Sequence, residues 1–200
     1  QLDATLIVHP SISRDPRNER VPHCYQFNNL REETLATLLL ENSDVFAKFP
    51  GLRIVVCHCG GHLRRILDVN DKVDAVNPSM GDDNLVRSSG QSRGGSGGNS
   101  DFHDTIKNDW SDNLFFDTCA YDPWFLSAVI HQRGVDRMVF GSEAPGSGSS
   151  QLNPLTGKPS DDVVALIDTF DFLSPQQKTA IFHDNPLRVF PLLKRARGMG

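Results

Sequence analysis

The sequence lacks the features that mark membrane and nucleic-acid-binding proteins. None of its apolar runs reaches the roughly 18 residues that a transmembrane helix needs, and the mean hydropathy over 200 residues is −0.35. Lys and Arg total 20 against 25 Asp and Glu, and no basic cluster is long enough for a nucleic-acid surface. We therefore expect a globular protein that binds neither membranes nor nucleic acid.

Cysteine is also scarce, and its spacing excludes the common zinc modules. The four residues are Cys24, Cys57, Cys59 and Cys119, and no two of them form a C-x-x-C pair. Free, buried thiols in a reducing compartment are the simplest interpretation. We predict a cytoplasmic protein on this basis.

What the sequence does contain is four short apolar runs, each followed by a residue that could bind a metal or move a proton. The runs cover 4–9, 53–58, 113–117 and 137–143. β-Branched and aromatic runs separated by helical stretches are typical of buried parallel strands in βα units. If such strands close into a barrel, their C-terminal ends converge on one face. The fold class that follows is α/β, with about half of a (β/α)8 barrel present.

Helix signals lie between these runs. Asn29 followed by Glu32 predicts a capping box and a helix start, with Leu35, Leu38, Leu39 and Phe46 as the apolar stripe. Further helices are predicted over 62–73, 123–132 with Gly134 as the C-cap, and 161–169. Ser174, Pro175 and Gln177 predict a capped helix that ends near 183, and a final helix is predicted over 186–197.

One segment departs from this alternation. Residues 88–100 are rich in Gly and Ser, a composition typical of flexible coil. We predict a single domain over 1–200 with a flexible excursion at 86–104. An interdomain linker is the alternative, although βα alternation resumes beyond it.

Two histidines carry most of the chemical signal. His9 and His58 follow equivalent strands, and neutral imidazole both binds zinc and titrates near neutrality. Alone, each could be a core histidine with its hydrogen bonds satisfied. Gly60-Gly61 after His58 could admit a substrate to the backbone or simply form a tight βα turn.

Two acidic residues end the other runs. Glu143 follows a nearly continuous apolar run, where an unpaired carboxylate is costly to bury, so either a metal or an Arg would compensate it. Asp117 is similar, although a hydrogen bond to Thr118 or to a loop amide would also explain it. We interpret Asp117 as a supporting or structural residue.

Four stretches of the sequence carry a family resemblance, at 45–61, 113–118, 135–143 and 184–190. They resemble the amidohydrolase superfamily, in the branch of aminocarboxymuconate-semialdehyde-decarboxylase-like decarboxylases and hydratases. Most members of the branch have Gly-Ser-Asp where this chain has Gly141-Ser142-Glu143. Residues 153–158 and 160–162 are similar to the subgroup of 4-oxalomesaconate hydratases.

The resemblance implies roles for the strand-end residues. His9 and Glu143 become metal ligands, and His58 becomes a metal-site histidine or the catalytic acid/base, with Glu143 also in the catalytic set. Zn²⁺ is the expected ion, with Mn²⁺ or Fe²⁺ as alternatives. Family members also carry a His-x-His pair on the first strand, which this sequence lacks. We therefore expect the chain to be the C-terminal part of the barrel.

The implied activity is hydration of a small polycarboxylate from aromatic-ring cleavage. A decarboxylase or hydrolase of the same branch is the alternative, and an inactive fragment is the alternative of another class. Carboxylate substrates favour Arg partners. The substrate-binding candidates are Arg14, Arg17, Arg20, Arg64 and Arg65, followed by the weaker candidates Ser142, Tyr25, Asn28 and Asn29. The full-length form is expected to be a homo-oligomer.

Overall fold

The computed structural model describes residues 4–11, 15–20, 24–41, 43–63, 113–196 and 198. Its centre is a parallel sheet of four strands in the order β1 (Thr5–Val8), β2 (Arg53–Val56), β3 (Leu114–Asp117) and β4 (Met138–Val139). The predicted parallel α/β arrangement is therefore confirmed. All four C-terminal strand ends lie at one edge of the sheet, which is where the candidate residues follow.

The apolar runs form central strands because both of their faces are covered. On one face Val56, Leu114 and Phe116 have no exposed surface and pack in the main core. On the other face Val55, Phe115 and Val139 pack against Val189. Each fully buried side chain of this size contributes about 1.5–3 kcal/mol to folding.

The first strand departs from the prediction of a buried run. Leu6 is 51% exposed and Ile7 is 61% exposed. β1 lies at the edge of the described sheet and pairs with β2. Its outer side chains therefore have fewer described neighbours than those of the central strands.

Seven helices lie outside the sheet in the described residues. They are α1 (Cys24–Glu41), α2 (Val45–Lys48), α3 (Pro123–Arg133), α4 (Val163–Asp168), α5 (Pro175–Thr179), α6 (Asn185–Val189) and α7 (Pro191–Ala196). The turns are 3-10 at Pro16–Arg20, His58–Gly60 and Val135–Arg137, and a π-helical turn at Ala180–Asp184. None of the described helices is both long and apolar enough to cross a membrane.

The capping signals near the C-terminal half are confirmed. Ser174 accepts a hydrogen bond from the amide of Gln177, whose side chain accepts one from the amide of Ser174. Gly134 terminates α3, and Asp162 caps α4 by accepting from Ala165. These turns were predictable because a cap depends on residues only three or four positions apart.

The prediction for α1 is wrong in its start and in its buried face. The helix begins at Cys24, so Asn29 lies inside it and forms no N-cap. Leu35, Leu38 and Leu39 are 52%, 44% and 51% exposed. The buried face is instead polar and carries, at intervals of four residues, Glu33, Thr37 and Glu41.

The last helices also differ from the prediction. The expected break between 183 and 186 is absent, because the π-helical turn continues α5 directly into α6. The helix ends at Val189 instead, with Phe190 as its C-cap. The next residue, Pro191, has no backbone N–H to continue the helical hydrogen bonds. Asn185 anchors α6 by donating to the carbonyls of Val135 and Met138 at 2.9 and 2.8 Å. The predicted excursion at 86–104, and all but the first two residues of the predicted helix at 62–73, lie outside the described residues.

Candidate functional site

Three strand-end residues meet above the C-terminal edge of the sheet. His9 follows β1 and His58 follows β2, and their ring centroids are 5.4 Å apart. Nε2 of His58 lies 3.6 Å from Oε1 of Glu143, which follows β4. The structure therefore brings together the three residues that the sequence singled out as a possible metal site.

The backbone at this edge adopts a conformation that most residues avoid. His58 and Cys59 have φ values of 46° and 61°, Gly60 and Gly61 follow at 75° and 82°, and Glu143 has a φ of 57°. The left-handed region costs a non-glycine residue about 1–2 kcal/mol. Such outliers concentrate at functional sites, where the surrounding structure holds them in place.

Packing explains the two glycines after His58. A Cβ on Gly60 would lie 2.3 Å from Cδ1 of Phe116, and a Cβ on Gly61 would lie 2.5 Å from the carbonyl oxygen of Leu30. Sequence reasoning left open whether these glycines serve a substrate or a tight turn. A Cβ at either position would overlap protein atoms, so packing within the protein is sufficient to require both glycines.

Asp117 supports the two loops that carry the site. Its Oδ1 accepts hydrogen bonds from the amides of Cys59 at 2.9 Å and Cys119 at 3.0 Å. Burial raises the pKa of Asp117, and the two amide donors act in the opposite direction. From the sequence alone, a carboxylate at position 117 has two explanations, a metal or a hydrogen bond to a nearby group such as a loop amide. The structure shows hydrogen bonds from two loop amides.

Glu33 is a site residue that sequence reasoning missed. It lies on α1 with no exposed surface, and its Oε1 is 2.5 Å from Nδ1 of His58. This hydrogen bond raises the pKa of His58 to about 9, against the opposing effect of burial. Burial raises the pKa of Glu33, and the hydrogen bond to His58 counteracts it. The spacing of Glu33, Thr37 and Glu41 was the available signal, because it places all three on one helix face.

Glu143 is held by side chains from two loops. Its Oε2 accepts hydrogen bonds from the hydroxyl of Tyr121 at 2.9 Å and from Oγ of Ser147 at 3.2 Å. Although burial acts in the opposite direction, the hydrogen bonds from Tyr121 and Ser147 and the adjacent ring of His58 lower the pKa of Glu143. The carboxylate form is therefore favoured, which suits a ligand for a cation.

A cleft of about 340 Å³ opens beside these residues. Its walls are mostly apolar, with polar groups from His58, Tyr121, Glu143 and Ser147 at one side. The lining residues are Asn29, Leu30, His58, Cys119, Ala120, Tyr121, Asp122, Phe125, Glu143 and Ser147. A mostly apolar cleft with a few convergent polar groups is the usual form of a small-molecule site.

The donor set at the end of the cleft fits a divalent transition metal. Ligand atoms from His58, Cys119 and Glu143 all lie within 4.8 Å of one another. Imidazole nitrogen, thiolate sulfur and carboxylate oxygen are the three ligand types that zinc takes in proteins. Sequence reasoning treated Cys119 only as a buried thiol. Burial raises its pKa, so the neutral thiol is favoured in the metal-free protein.

The predicted substrate residues have mixed positions. Arg14 and Arg65 lie outside the described residues, and Arg20 is exposed at the end of the first 3-10 turn. Asn28 is 4% exposed and does not line the cleft, whereas the adjacent Asn29 does. Ser142 accepts a hydrogen bond from the amide of Ala144, and Ser147 lies at the cleft in its stead. Substrate binding by these residues stays a prediction.

Comparison with known proteins gives a consistent result. The chain is 30% identical over 206 residues to a 2-keto-4-carboxy-3-hexenedioate hydratase from Sphingobium sp. (strain NBRC 103272 / SYK-6), covering 100% of this chain and 50% of the relative. The chain thus spans about half the length of the curated relative that it matches.

Solved structures show the fold. A 4-oxalomesaconate hydratase, LigJ, from Rhodopseudomonas palustris superposes with a TM-score of 0.63 at 22% identity, covering 98% of this chain and 48% of that one. A 5-carboxyvanillate decarboxylase, LigW, from Sphingomonas paucimobilis superposes with a TM-score of 0.59 at 17% identity, covering 94% and 50%. The chain corresponds to about half of a TIM-like barrel, which confirms the predicted fold class.

Family membership rests on a match along nearly the whole sequence. The sequence model of the family described as Amidohydrolase matches residues 1–192. The matched range includes all four strands and every residue of the site described above. The chain belongs to the amidohydrolase family.

Proposed function

We propose that this chain is part of a metal-dependent hydratase that adds water to a small unsaturated polycarboxylate of the 4-oxalomesaconate type. The observation that carries the proposal is the placement of His58 at the cleft, with one ring nitrogen held by Glu33 and the other near Glu143. The hydratase activity of the 30% identical relative supports the choice of reaction.

The relative's substrate defines what such a site must do. In 2-keto-4-carboxy-3-hexenedioate a ketone is conjugated to a carbon–carbon double bond. Water therefore adds its oxygen to the alkene carbon farther from the ketone, and the carbon beside the ketone gains a proton. Negative charge develops on the ketone oxygen between these events. The protein must supply a water nucleophile, positive charge near that oxygen, and a proton donor.

His58 is the residue that we assign to the proton transfer. Its Nδ1 is engaged by Glu33, which leaves Nε2 as the nitrogen on the side of Glu143 and the cleft. A positioned imidazole typically contributes about 10²–10⁴-fold to a rate as general acid or base. Nε2 would give its proton to the carbon beside the ketone.

In this proposal His9 and Glu143 would hold the metal, as the family resemblance implies. The ligand atoms of His58, Cys119 and Glu143 lie within 4.8 Å of one another, so Cys119 could serve as a further ligand beside Glu143. A divalent ion, when bound, supplies an acidified water and positive charge opposite a developing enolate. Zn²⁺ suits the mixed nitrogen, sulfur and oxygen donors, and Mn²⁺ and Fe²⁺ are the alternatives. Tyr121 and Ser147 orient Glu143 through hydrogen bonds to its Oε2.

The remaining carboxylates of the substrate need donors. Asn29, Tyr121 and Ser147 line the described part of the cleft and can donate hydrogen bonds. The proposed cationic partners of these carboxylates are Arg20, on the first 3-10 turn, and Arg14 and Arg65, which lie outside the described residues. Arg forks match carboxylates better than Lys does.

The test uses the protein as its gene encodes it. Metal content is measured by mass spectrometry, and loss of the conjugated absorbance of 4-oxalomesaconate is followed with wild type, His58→Gln and His131→Gln. His131 is an exposed histidine of α3 and serves as the matched control. We expect near-stoichiometric metal, hydration by wild type and His131→Gln, and a loss of about 10²-fold or more in kcat for His58→Gln.

Other outcomes would redirect or reject the proposal. Release of CO₂ from 5-carboxyvanillate, without hydration of 4-oxalomesaconate, would replace the hydratase with the decarboxylase alternative. A protein that holds little metal and turns over neither substrate would support the inactive alternative. Hydration that persists in His58→Gln would remove His58 from the mechanism.

A further inference from the structure

Glu33 is a carboxylate in a position that folding alone does not favour. The residue has no exposed surface, and its Oε2 has no hydrogen-bond partner among the described residues. Burying a carboxylate oxygen without a partner is unfavourable, because the oxygen loses its hydration and gains no hydrogen bond in return. The presence of Glu33 therefore calls for a reason other than stability.

The single described partner of its other oxygen is the ring of His58. Oε1 of Glu33 lies 2.5 Å from Nδ1 of that ring. A carboxylate can only accept this hydrogen bond, so Nδ1 carries the hydrogen. The contact fixes both the rotation of the imidazole and which nitrogen is directed away from α1, toward Glu143.

Other residues of α1 hold the backbone of the same loop. Oγ1 of Thr34 accepts a hydrogen bond from the amide of His62 at 2.7 Å. Oγ1 of Thr37 donates to the carbonyl of Gly60 at 3.0 Å. The loop is therefore attached to α1 without Glu33, and the carboxylate acts on the imidazole ring in particular.

We propose that Glu33 is a positioning residue that acts through His58, fixing its tautomer and ring orientation for proton transfer. The proposal rests on the function assigned above to His58. It adds a helix residue, remote from the strand ends, to the set that determines the rate. Carboxylates that orient a histidine in this way typically change activity or metal affinity by about 10–100-fold when removed, and by more where the wrong tautomer results.

The test compares three variants of the metal-loaded natural protein. Glu33→Gln keeps the volume of the side chain and removes its charge, and Glu33→Leu removes the hydrogen bond. Thr37→Val removes a hydrogen bond from α1 to the loop backbone and serves as the structural control. The readouts are kcat, KM, the melting temperature, and the ¹⁵N chemical shifts of the His58 ring, which report the tautomer.

A positioning role predicts a separation of these readouts. For Glu33→Leu we expect kcat to fall by about 10²-fold or more, KM to stay within about threefold, and the Nδ1–H signal of His58 to disappear. The melting temperature of Glu33→Leu should fall no further than that of Thr37→Val, because each substitution leaves one polar group without its hydrogen-bond partner. Glu33→Gln should fall between wild type and Glu33→Leu in kcat, and Thr37→Val should lower the melting temperature with a smaller effect on kcat.

The inference and the proposed function fail in different ways. A lower melting temperature in both Glu33 variants, with kcat and the tautomer unchanged, would show a structural role and overturn the inference. A wild type that lacks hydratase activity would overturn the proposed function alone, because the tautomer is measured without turnover. Loss of the Nδ1–H signal in Glu33→Leu would still support the positioning of His58 in that case.

Discussion

The amide of Cys59 donates a hydrogen bond of 2.9 Å to Oδ1 of Asp117, which joins the loop after β2 to the end of β3. The same oxygen accepts from the amide of Cys119 at 3.0 Å. One carboxylate oxygen thus holds two loops, and each loop carries a donor of the candidate metal site, His58 in one and Cys119 in the other.

Asp117→Ala should therefore destabilise the protein by about 2–5 kcal/mol, because it leaves two amides next to the core without their acceptor. Asp117→Asn is the matched control, since its amide oxygen can accept both hydrogen bonds and only the charge is lost. We expect the Asn variant to retain most of the stability that the Ala variant loses. Urea unfolding with the metal chelated measures both, and equal stabilities would contradict the role of Oδ1.

Gly60 offers a test of how tightly the loop after β2 is packed. Gly60→Ala should cost about 3 kcal/mol or more, because the new methyl would meet Phe116 and the backbone has a φ of +75°. Gly134→Ala shares a positive φ of +86°, but its methyl would meet no described atom within 4 Å. It should cost about 1–3 kcal/mol from backbone strain alone, because Gly134 has a ψ of 141° and lies in a region that is almost exclusive to glycine.

A third glycine separates strain from crowding. Gly51 lies outside the left-handed region, and a Cβ there meets no described atom within 4 Å. Gly51→Ala should change the free energy of unfolding by less than about 0.5 kcal/mol. If Gly60→Ala and Gly134→Ala cost the same, the close contact with Phe116 would be wrong.

The positions of the strands and of the site's edge were predictable from the sequence. Residues 54–56 and 114–116 are apolar because both faces of a central strand are buried, and this physical cause leaves a direct pattern in the sequence. Parallel order then places the residues after the strands at one edge. His58 and Glu143 could be placed at that edge in this way.

Glu33 and the exposed leucines of α1 could not be predicted by the same reasoning. Helix periodicity assigns apolar side chains to the core, whereas α1 buries Glu33 and exposes Leu35 and Leu39. The buried polar face is explained by its partners, His58 and the backbone of Gly60, which are distant in the sequence. Contacts of this kind depend on the tertiary fold, so the four-residue spacing of Glu33, Thr37 and Glu41 shows a shared helix face but not that this face is buried.

The thiol of Cys57 should be unreactive in the folded protein. Burial, and next the charges of Asp117, Glu33 and Glu143, raise its pKa to about 12. At pH 8 the thiolate fraction is then on the order of 10⁻⁴, compared with about a quarter for an ordinary thiol.

Iodoacetamide labelling at pH 8 with the metal chelated, followed by peptide mass spectrometry, measures this reactivity. We expect alkylation of Cys57 to be slower by about 10³-fold than in guanidinium, where the unfolded chain provides the control. Folded Cys57 that reacts at the unfolded rate would contradict the burial and the charge environment given above.

The hydroxyl of Tyr121 should strengthen metal binding by acting on Glu143. It donates to Oε2 of Glu143 at 2.9 Å and so helps to keep that side chain ionised and in one orientation. Partners of metal ligands typically contribute about 10–100-fold to affinity. Tyr121→Phe should therefore weaken Zn²⁺ binding by about 10-fold, measured by competition with a chelating dye.

The stability of Tyr121→Phe should change little, which separates the role of the hydroxyl from that of the ring. The ring packs beside Gly148, and the carbonyl of Tyr121 accepts a hydrogen bond from Asn153 at 3.1 Å. Neither contact involves the hydroxyl.

Ser147→Ala removes a longer hydrogen bond of 3.2 Å to the same oxygen of Glu143, so it should weaken zinc binding by less. Ser150→Ala, an exposed serine of the same loop, is the control and should bind zinc as wild type does. If Tyr121→Phe binds zinc as tightly as Ser150→Ala does, then either Glu143 is not a ligand or its orientation does not depend on Tyr121. The metal content of Glu143→Gln would decide between these two explanations.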